Sequence, residues 1–343
     1  MNLKKYSLKE FEEQINFYYY EASKNNLDEL YNEAEILKNK YYGKDIYLRA
    51  LIEFTTYCKN ECYYCGLNCK NDKAIRYRLS NKNILDSCKK SYNLGYKTFV
   101  LQGGEDSYYK DEIITDLVYS IKTEMPDSAV TLSIGEKAKS SYKMYFDAGA
   151  DRFLLRHETA DEKHYQKLHA ANLSHKNRMK CLYNLKDIGY QTGAGFMVDS
   201  PYQTIETLAK DMMFLSDLQP EMVGIGPFIP HMDTRFKNYY IPDVKHTLIL
   251  LAMIRKALPK VLLPATTALA TIDKKSRSEA FKAGANVLMP NASPICHRKD
   301  YALYDGKENS NLEAVENTGK LIEYINNLGS HVKLSRGDHV DFR

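Results

Sequence analysis

The stretch Tyr47-Leu48-Arg49-Ala50-Leu51-Ile52-Glu53-Phe54-Thr55-Thr56-Tyr57-Cys58-Lys59-Asn60-Glu61-Cys62-Tyr63-Tyr64-Cys65 opens as a strand-like apolar run and closes on three cysteines within eight residues. Its first half recurs along the chain. Short β-branched runs near 47–55, 97–102, 128–134, 151–155, 190–198, 221–226, 260–265 and 285–289 alternate with amphipathic helices. Many of these helices end in a glycine just before the next strand, as at Gly95, Gly149, Gly189 and Gly284. That is the pattern of helix C-caps feeding a parallel sheet. Eight such strand–helix units predict an α/β fold, a (β/α)8 barrel of TIM type. A doubly wound open sheet is the alternative, but no GxGxxG opens its first helix.

In residues 1–46, Phe11, Ile15, Tyr18 and Tyr19 fall at helical spacing and a second charged helix follows from about Asp28, so this segment reads as a helical cap. Residues 47–300 make the barrel. Residues 301–343 form a short C-terminal extension, with a helix near 312–327 and a polar tail. The three segments are expected to form one structural unit, because a barrel of this kind reaches 343 residues as a single domain.

The 48 basic and 44 acidic residues are spread evenly, giving a formal net charge of +4 and no basic tract, so no nucleic-acid partner is expected. The N-terminus lacks the apolar core of a signal peptide, and no run approaches the about 18 apolar residues of a membrane span. A cytoplasmic protein with reduced thiols and no membrane partner follows as the expectation.

Three thiolates from one loop can hold three irons of a cubic 4Fe-4S cluster and leave the fourth iron open to bind something else. A zinc site usually takes two CxxC-type pairs, and no second pair follows the CxxxCxxC triad. Cys69 extends the run to CxxxCxxCxxxC, but four ligands this close would strain one tetrahedral centre. An odd count of seven cysteines in so long a chain does not read as a disulfide framework. Cys88, Cys181 and Cys296 read as buried small apolar residues.

In a barrel of this type the chemistry gathers where strands end. After the successive strands come the triad, Gln102-Gly103-Gly104-Glu105, Thr131 and Ser133, Arg156-His157-Glu158-Thr159, Gly193 to Met197, Gly224 to Phe228, Pro264-Ala265-Thr266-Thr267, and Met289-Pro290-Asn291. Each alone is ordinary turn chemistry. Together they outline one rim.

A CxxxCxxC triad with an aromatic before its last cysteine resembles the signature of radical S-adenosylmethionine (radical SAM) enzymes. Ile52 to Gly66, Tyr77-Arg78-Leu79-Ser80, Leu155 to Thr159, Met222 to His231 and Pro264 to Thr267 resemble the FeFe-hydrogenase maturase HydE family, over about residues 46–306. The run Met222-Val223-Gly224-Ile225-Gly226-Pro227-Phe228-Ile229-Pro230-His231 is far more specific than the triad.

The resemblance implies a radical SAM barrel carrying one 4Fe-4S cluster on Cys58, Cys62 and Cys65, with S-adenosylmethionine chelating the open iron and releasing a 5′-deoxyadenosyl radical. It also implies an electron donor such as ferredoxin or flavodoxin and other hydrogenase maturases as partners. Glu158 suits the methionine ammonium, and Arg178 its carboxylate through a two-pronged hydrogen bond. Tyr64 is placed to contact adenine or shield the cluster, while Gln102, Thr131 and Ser133 offer neutral hydrogen bonds. The plain alternative for Glu158 and Arg178 is a surface ion pair.

The residues matching the family's cavity lining are Arg49, Arg156, Met222, Thr266, Thr267, Met289, Tyr301 and Tyr304. An arginine inside a barrel is costly unless it meets an anion, so Arg49 and Arg156 point to a carboxylate or other anionic substrate. Their plain alternative is pairing with Glu53 or Glu158, and Met222 and Met289 read equally as core filler. The implied reaction is radical attack on the cysteine sulfur of a small iron–cysteine precursor during assembly of the hydrogenase di-iron site.

This chain departs from the family's pattern. The segment Asp305 to Glu316 lacks the late cysteine triplet many members carry, Asp199-Ser200-Pro201-Tyr202-Gln203-Thr204 stands where members write Gly-Leu-Pro-Gly-Gln-Thr, and Ala292 replaces a tryptophan. A methylornithine synthase-like radical SAM mutase acting on lysine is the nearest alternative, and a non-enzymatic iron–sulfur electron carrier is the alternative from another class. The sequence has no HExxH, GxSxG or P-loop pattern.

Overall fold

The computed structural model describes residues 6–24, 26–307 and 314–342. Two helices lead the chain: α1 (Leu8–Ser23) and α2 (Asp28–Tyr42). The first starts at a capping box, in which the Ser7 hydroxyl accepts from Glu10 N–H and the Glu10 carboxylate accepts from Ser7 N–H.

From Asp45 onward strands and helices alternate. The first five strand segments and the helices between them are β1 (Asp45–Leu48), β2 (Ala50–Thr55), α3 (Asn81–Asn93), β3 (Thr98–Gly103), α4 (Asp111–Glu124), β4 (Ala129–Ser133), α5 (Lys139–Asp147) and β5 (Ala150–Leu154). There follow α6 (Glu162–Leu168), α7 (His175–Ile188), β6 (Gln191–Ala194), β7 (Met197–Val198), α8 (Ile205–Leu218), β8 (Met222–Val223), β9 (Gly226–Pro227) and α9 (Val244–Ala257). The chain ends with α10 (Thr267–Ile272), α11 (Ser276–Lys282), β10 (Val287–Leu288), α12 (Thr318–Asn327) and β11 (His331–Lys333).

Strands β2, β3, β4, β5, β6 and β8 pair in that order, all parallel. Bridges from Met222 to Leu262 and from Pro264 to Val287 carry the sheet onward. β10 then lies parallel to β1, with Leu48 opposite Leu288. Arg49 N–H donates to Leu288 O and Leu51 N–H to Pro290 O, each at 2.9 Å. The sheet therefore closes into a barrel whose first strand is β1 and β2, interrupted only at Arg49. The expected strand at 260–265 makes only those single bridges, because Pro264 has no N–H to give to a ladder.

Gly95, Gly149, Gly189 and Gly284 take φ of +95°, +109°, +103° and +96°. They sit at the helix ends before β3, β5, β6 and β10, as their spacing predicts. The β2 side chains are buried on both faces, with helices outside and the barrel interior within. Helix α1 packs on α8 and α9, and α2 on α9 and α11. Phe11, Ile15, Leu30 and Ala34 are buried there.

The C-terminal segment differs from its expected form. Helix α12 begins at Thr318 after a single 3-10 turn, Val315–Asn317, and the first residues of the expected helix, 312 and 313, lie outside the described residues. The polar tail is structured. β11 extends the barrel edge, with Ile46 opposite Val332, and the chain then runs across the strand starts. There the Arg336 carbonyl accepts from Thr98 Oγ1 (2.8 Å) and Arg152 Nη2 (2.6 Å), while Asp338 accepts from Arg152 and Gln191. Among the described residues no helix is long and apolar enough to cross a membrane.

Candidate functional site

β2 carries the chain to the C-terminal mouth of the barrel, where the loop bearing Cys58, Cys62 and Cys65 begins. All three thiols are half-buried and free of disulfides. The loop has no ladder to satisfy its carbonyls, and Arg76 takes that role: its guanidinium donates to the carbonyls of Thr56, Leu67, Asn68 and Asn71. On the other side, Tyr63 N–H donates to Leu168 O (2.9 Å) and Gly66 N–H to Leu303 O (2.9 Å), which pins the loop to the end of α6 and to the C-terminal extension. Gly104 allows it to seat, since a Cβ there would lie 2.2 Å from Tyr57 O and 2.7 Å from Cys58 Cβ.

Burial, with Cys58 close by, pushes the Cys65 thiol up to about 12, and burial raises Cys58 and Cys62 as well. Backbone N–H groups work the other way: Leu67 N–H points at Cys65 Sγ (3.4 Å), and those of Asn60 and Glu105 favour the Cys58 thiolate. Three free thiols on one loop with amide donors turned toward them fit a cluster bound through three protein ligands. Cys69 is exposed. Among the described residues no group of three or more His, Cys, Asp or Glu side chains is arranged to hold a single metal ion. Cys88 and Cys181 are buried as expected, but Cys296 is exposed, because it sits in a surface 3-10 turn, Ile295–His297.

Beside the thiols, the Tyr64 hydroxyl is 3.3 Å from His169 Nε2 and its ring meets that imidazole edge-on. Burial first, then the nearby Glu158 carboxylate, pushes the Tyr64 phenol well up, so it stays a neutral donor. Glu158 takes a left-handed φ of 67°, and Arg156 Nη2 lies 3.2 Å from its Oε2, in ion-pair contact without hydrogen-bond geometry. Arg178, on α7, is buried rather than on the surface. Its Nε is 2.8 Å from Glu136 Oε1, off the N–H direction, and its Nη2 is 3.8 Å from Glu105. Burial opposes its charge, but Glu136 and Glu105 outweigh that and hold its pKa above the ordinary arginine value. Both Arg178 and Glu158 act electrostatically on Cys62, so these groups share one space.

Gln102 is set by register between Glu53 and Ser133, with Thr131 two residues deeper than Ser133, and Gln102 Nε2 reaches the Tyr301 hydroxyl at 3.4 Å. Within the barrel, Thr131 Oγ1, Arg156 Nε, Glu158 Oε2, Thr266 Oγ1 and Arg49 Nε are buried without a hydrogen-bond partner. Buried polar atoms are rarely left so.

Arg49 makes neither of the carboxylate pairings weighed for it. Its Nη1 lies 3.0 Å from Met222 Sδ and its Nη2 donates to Gly337 O (3.2 Å), which ties it toward the tail that crosses the strand starts. Glu53 instead pairs with Lys307 and accepts from Asn291 Nδ2 (2.9 Å). Lys307 also donates to Tyr301 O, which makes it an interior cation that sequence reasoning passed over. The available signal was the acid in mid-strand, which requires a cation once buried. Thr267 and Met289 line a separate small cavity of about 20 Å³ that Leu321 of α12 also lines. Tyr301 is buried and Tyr304 half-buried. A cleft of about 370 Å³ opens on the outer side of Glu105 and Glu136, next to Lys59.

The chain resembles known proteins over most of its length. The Radical SAM superfamily profile matches residues 52–215. The chain is 45% identical over 278 residues to the FeFe hydrogenase maturase subunit HydE of Thermotoga maritima, covering 81% of this chain and 79% of that protein. It is 32% identical over 268 residues to the 3-methylornithine synthase of Methanosarcina acetivorans, covering 78% and 75%. The crystal structure of methylornithine synthase (PylB) superposes with a TM-score of 0.82 at 25% identity, over 96% of this chain and 95% of that one. Fold and site thus define an enzyme of the radical SAM type. Within that superfamily, the chain belongs to the HydE family of FeFe-hydrogenase maturases.

Proposed function

We propose that this enzyme cleaves S-adenosylmethionine reductively and acts in the assembly of the FeFe-hydrogenase active site, on a cysteine-bound mono-iron precursor. The observation that carries the reading is the ring of unpartnered buried polar atoms next to three free thiols, in a chain 45% identical to a HydE. When bound, one 4Fe-4S cluster and S-adenosylmethionine supply one-electron cleavage of a sulfonium bond, giving a 5′-deoxyadenosyl radical.

The chain's own residues bind and orient. Cys58, Cys62 and Cys65 hold the cluster. Glu158 takes the methionine ammonium and Arg178, kept charged by Glu136 and Glu105, takes the carboxylate. Tyr64 shields the cluster side, and Gln102, Thr131 and Ser133 give neutral bonds to the cofactor. Arg156 and Thr266, whose buried polar atoms lack hydrogen-bond partners, meet an anionic substrate, with Met222, Tyr301 and Tyr304 nearby, while Arg49, Thr267 and Met289 are held away from it by the contacts described above. A low-potential carrier such as ferredoxin or flavodoxin delivers the electron, in the cytoplasm, and other hydrogenase maturases supply or receive the small molecule.

The superposition on methylornithine synthase favours a second reading, a mutase acting on lysine. Anaerobic reconstitution followed by S-adenosylmethionine and dithionite separates the readings. We expect 5′-deoxyadenosine to accumulate, and none above a Cys62→Ala control refutes radical chemistry. Conversion of lysine to 3-methylornithine decides for the mutase. Hydrogenase assembly that proceeds equally well without this protein counts against the maturase.

A further inference from the structure

Arg156 and Glu158 flank a histidine the proposed chemistry does not use. His157 is fully buried, as is Asp211 on α8, and His157 Nε2 lies 3.2 Å from Asp211 Oδ1. The same Oδ1 accepts from Ala160 N–H, so one carboxylate reaches both sides of Glu158. The other imidazole nitrogen, Nδ1, accepts from Gly195 N–H (3.3 Å), and Gly195 O accepts from Glu158 N–H (3.0 Å). Gly195 cannot be substituted cheaply, since a Cβ there would stand 2.0 Å from Gly224 O. Glu158 is thus enclosed while holding a left-handed φ of 67°, a conformation a non-glycine residue keeps only where its surroundings impose it.

We propose that Asp211 and His157 form a buried clip that imposes this backbone conformation and so aims the Glu158 carboxylate at the cofactor's ammonium. Both are positioning residues, acting through Glu158, and the proposal rests on the role given to Glu158 above. Burial pushes the imidazole down to about 3, so His157 is neutral, with Nδ1 accepting from Gly195 N–H and Nε2 held against Asp211 Oδ1 in close contact, off the N–H direction. Burial also raises the Asp211 carboxyl, and its Oδ2 has no partner. Phe196 and Phe214 pack on the imidazole and hold its plane.

The test replaces the polar clip by an apolar pair of similar volume, His157→Phe with Asp211→Leu, which preserves packing and removes every hydrogen bond of the clip. Affinity for S-adenosylmethionine is measured by calorimetry on the reconstituted protein, and amide exchange of residues 157–160 is followed alongside. We expect a lowered but still cooperative thermal midpoint, because Ala160 N–H and Gly195 N–H lose their acceptors, exchange at 157–160 faster by about tenfold, and affinity weakened by about tenfold, as for Glu158→Gln. Combining the pair with Glu158→Gln should weaken binding no further, because both act through one carboxylate. Parent-like exchange and affinity in the apolar pair, or a fully additive triple variant, overturns the clip. If Glu158→Gln alone leaves affinity unchanged, the role given to Glu158 falls, and the exchange result then decides the clip.

Discussion

Arg76 shows how one side chain replaces a ladder. Four carbonyls of a loop that belongs to neither helix nor strand converge on its planar fork, and a lysine has no geometry for four such acceptors. Arg76→Ala is expected to destabilise the cysteine loop by about 2–4 kcal/mol. The check is iron and sulfide content after reconstitution, which should fall well below the parent's in the alanine variant and stay low in Arg76→Lys; parent-like loading in both would discount the role. No spacing rule marks a residue whose partners are backbone carbonyls, which is why Arg76 was silent in the sequence. Glu158 and Arg178 stood out only through the family resemblance, which implies a zwitterionic ligand calling for one charge of each sign; by spacing alone they read as a surface ion pair. Asp199 and Tyr202 are intermediate cases. They replace the glycines of the family's loop, and only the structure reveals that both keep a left-handed backbone, at φ of 55° and 65°.

At the scale of elements, the tail is the part most changed by seeing it folded. Its composition reads as polar chain, yet Arg336, Gly337 and Asp338 close the barrel at the strand starts and satisfy Thr98, Arg152, Gln191 and Arg49. Burial raises the Asp338 carboxyl, but Arg152, Arg336 and Gln191 outweigh it and hold the group below the usual carboxylate range. Its stabilisation is therefore complete above the unfolded value of about 3.9 and is lost as pH falls through the lower folded value. Asp338→Asn leaves the fully buried Arg152 guanidinium without its carboxylate and should cost about 3 kcal/mol at neutral pH. Urea denaturation across pH is the measurement: the gap to the parent should close below the folded value, and a gap that persists in acid would show the loss to be steric. The eighth-strand contacts to β1 were legible as an apolar run, and the seventh segment pairs on both sides but only through single bridges, since Pro264 has no N–H to lengthen the ladder toward β8.

For the whole molecule, we propose that the cap at 1–46, the barrel at 47–300 and the extension at 301–343 unfold together. Helices α1 and α2 bury Phe11, Ile15, Leu30 and Ala34 against α8, α9 and α11, and β11 completes the barrel edge beside β1. A single calorimetric transition is expected. A trypsin-resistant barrel that has shed the first 46 residues and keeps its midpoint would show the cap to be separate. The sequence by itself determined the succession of strands and helices, the glycines that end those helices and the cysteine loop, because hydrophobic period, turn chemistry and ligand spacing are local properties of the chain. The tertiary structure alone decided that Lys307 answers Glu53, that Arg49 is tied to the tail, and that Asp211 reaches both sides of Glu158. Those pairings join residues far apart in the chain, and burial inside a closed barrel is what obliges each charge and each polar atom to find its partner there.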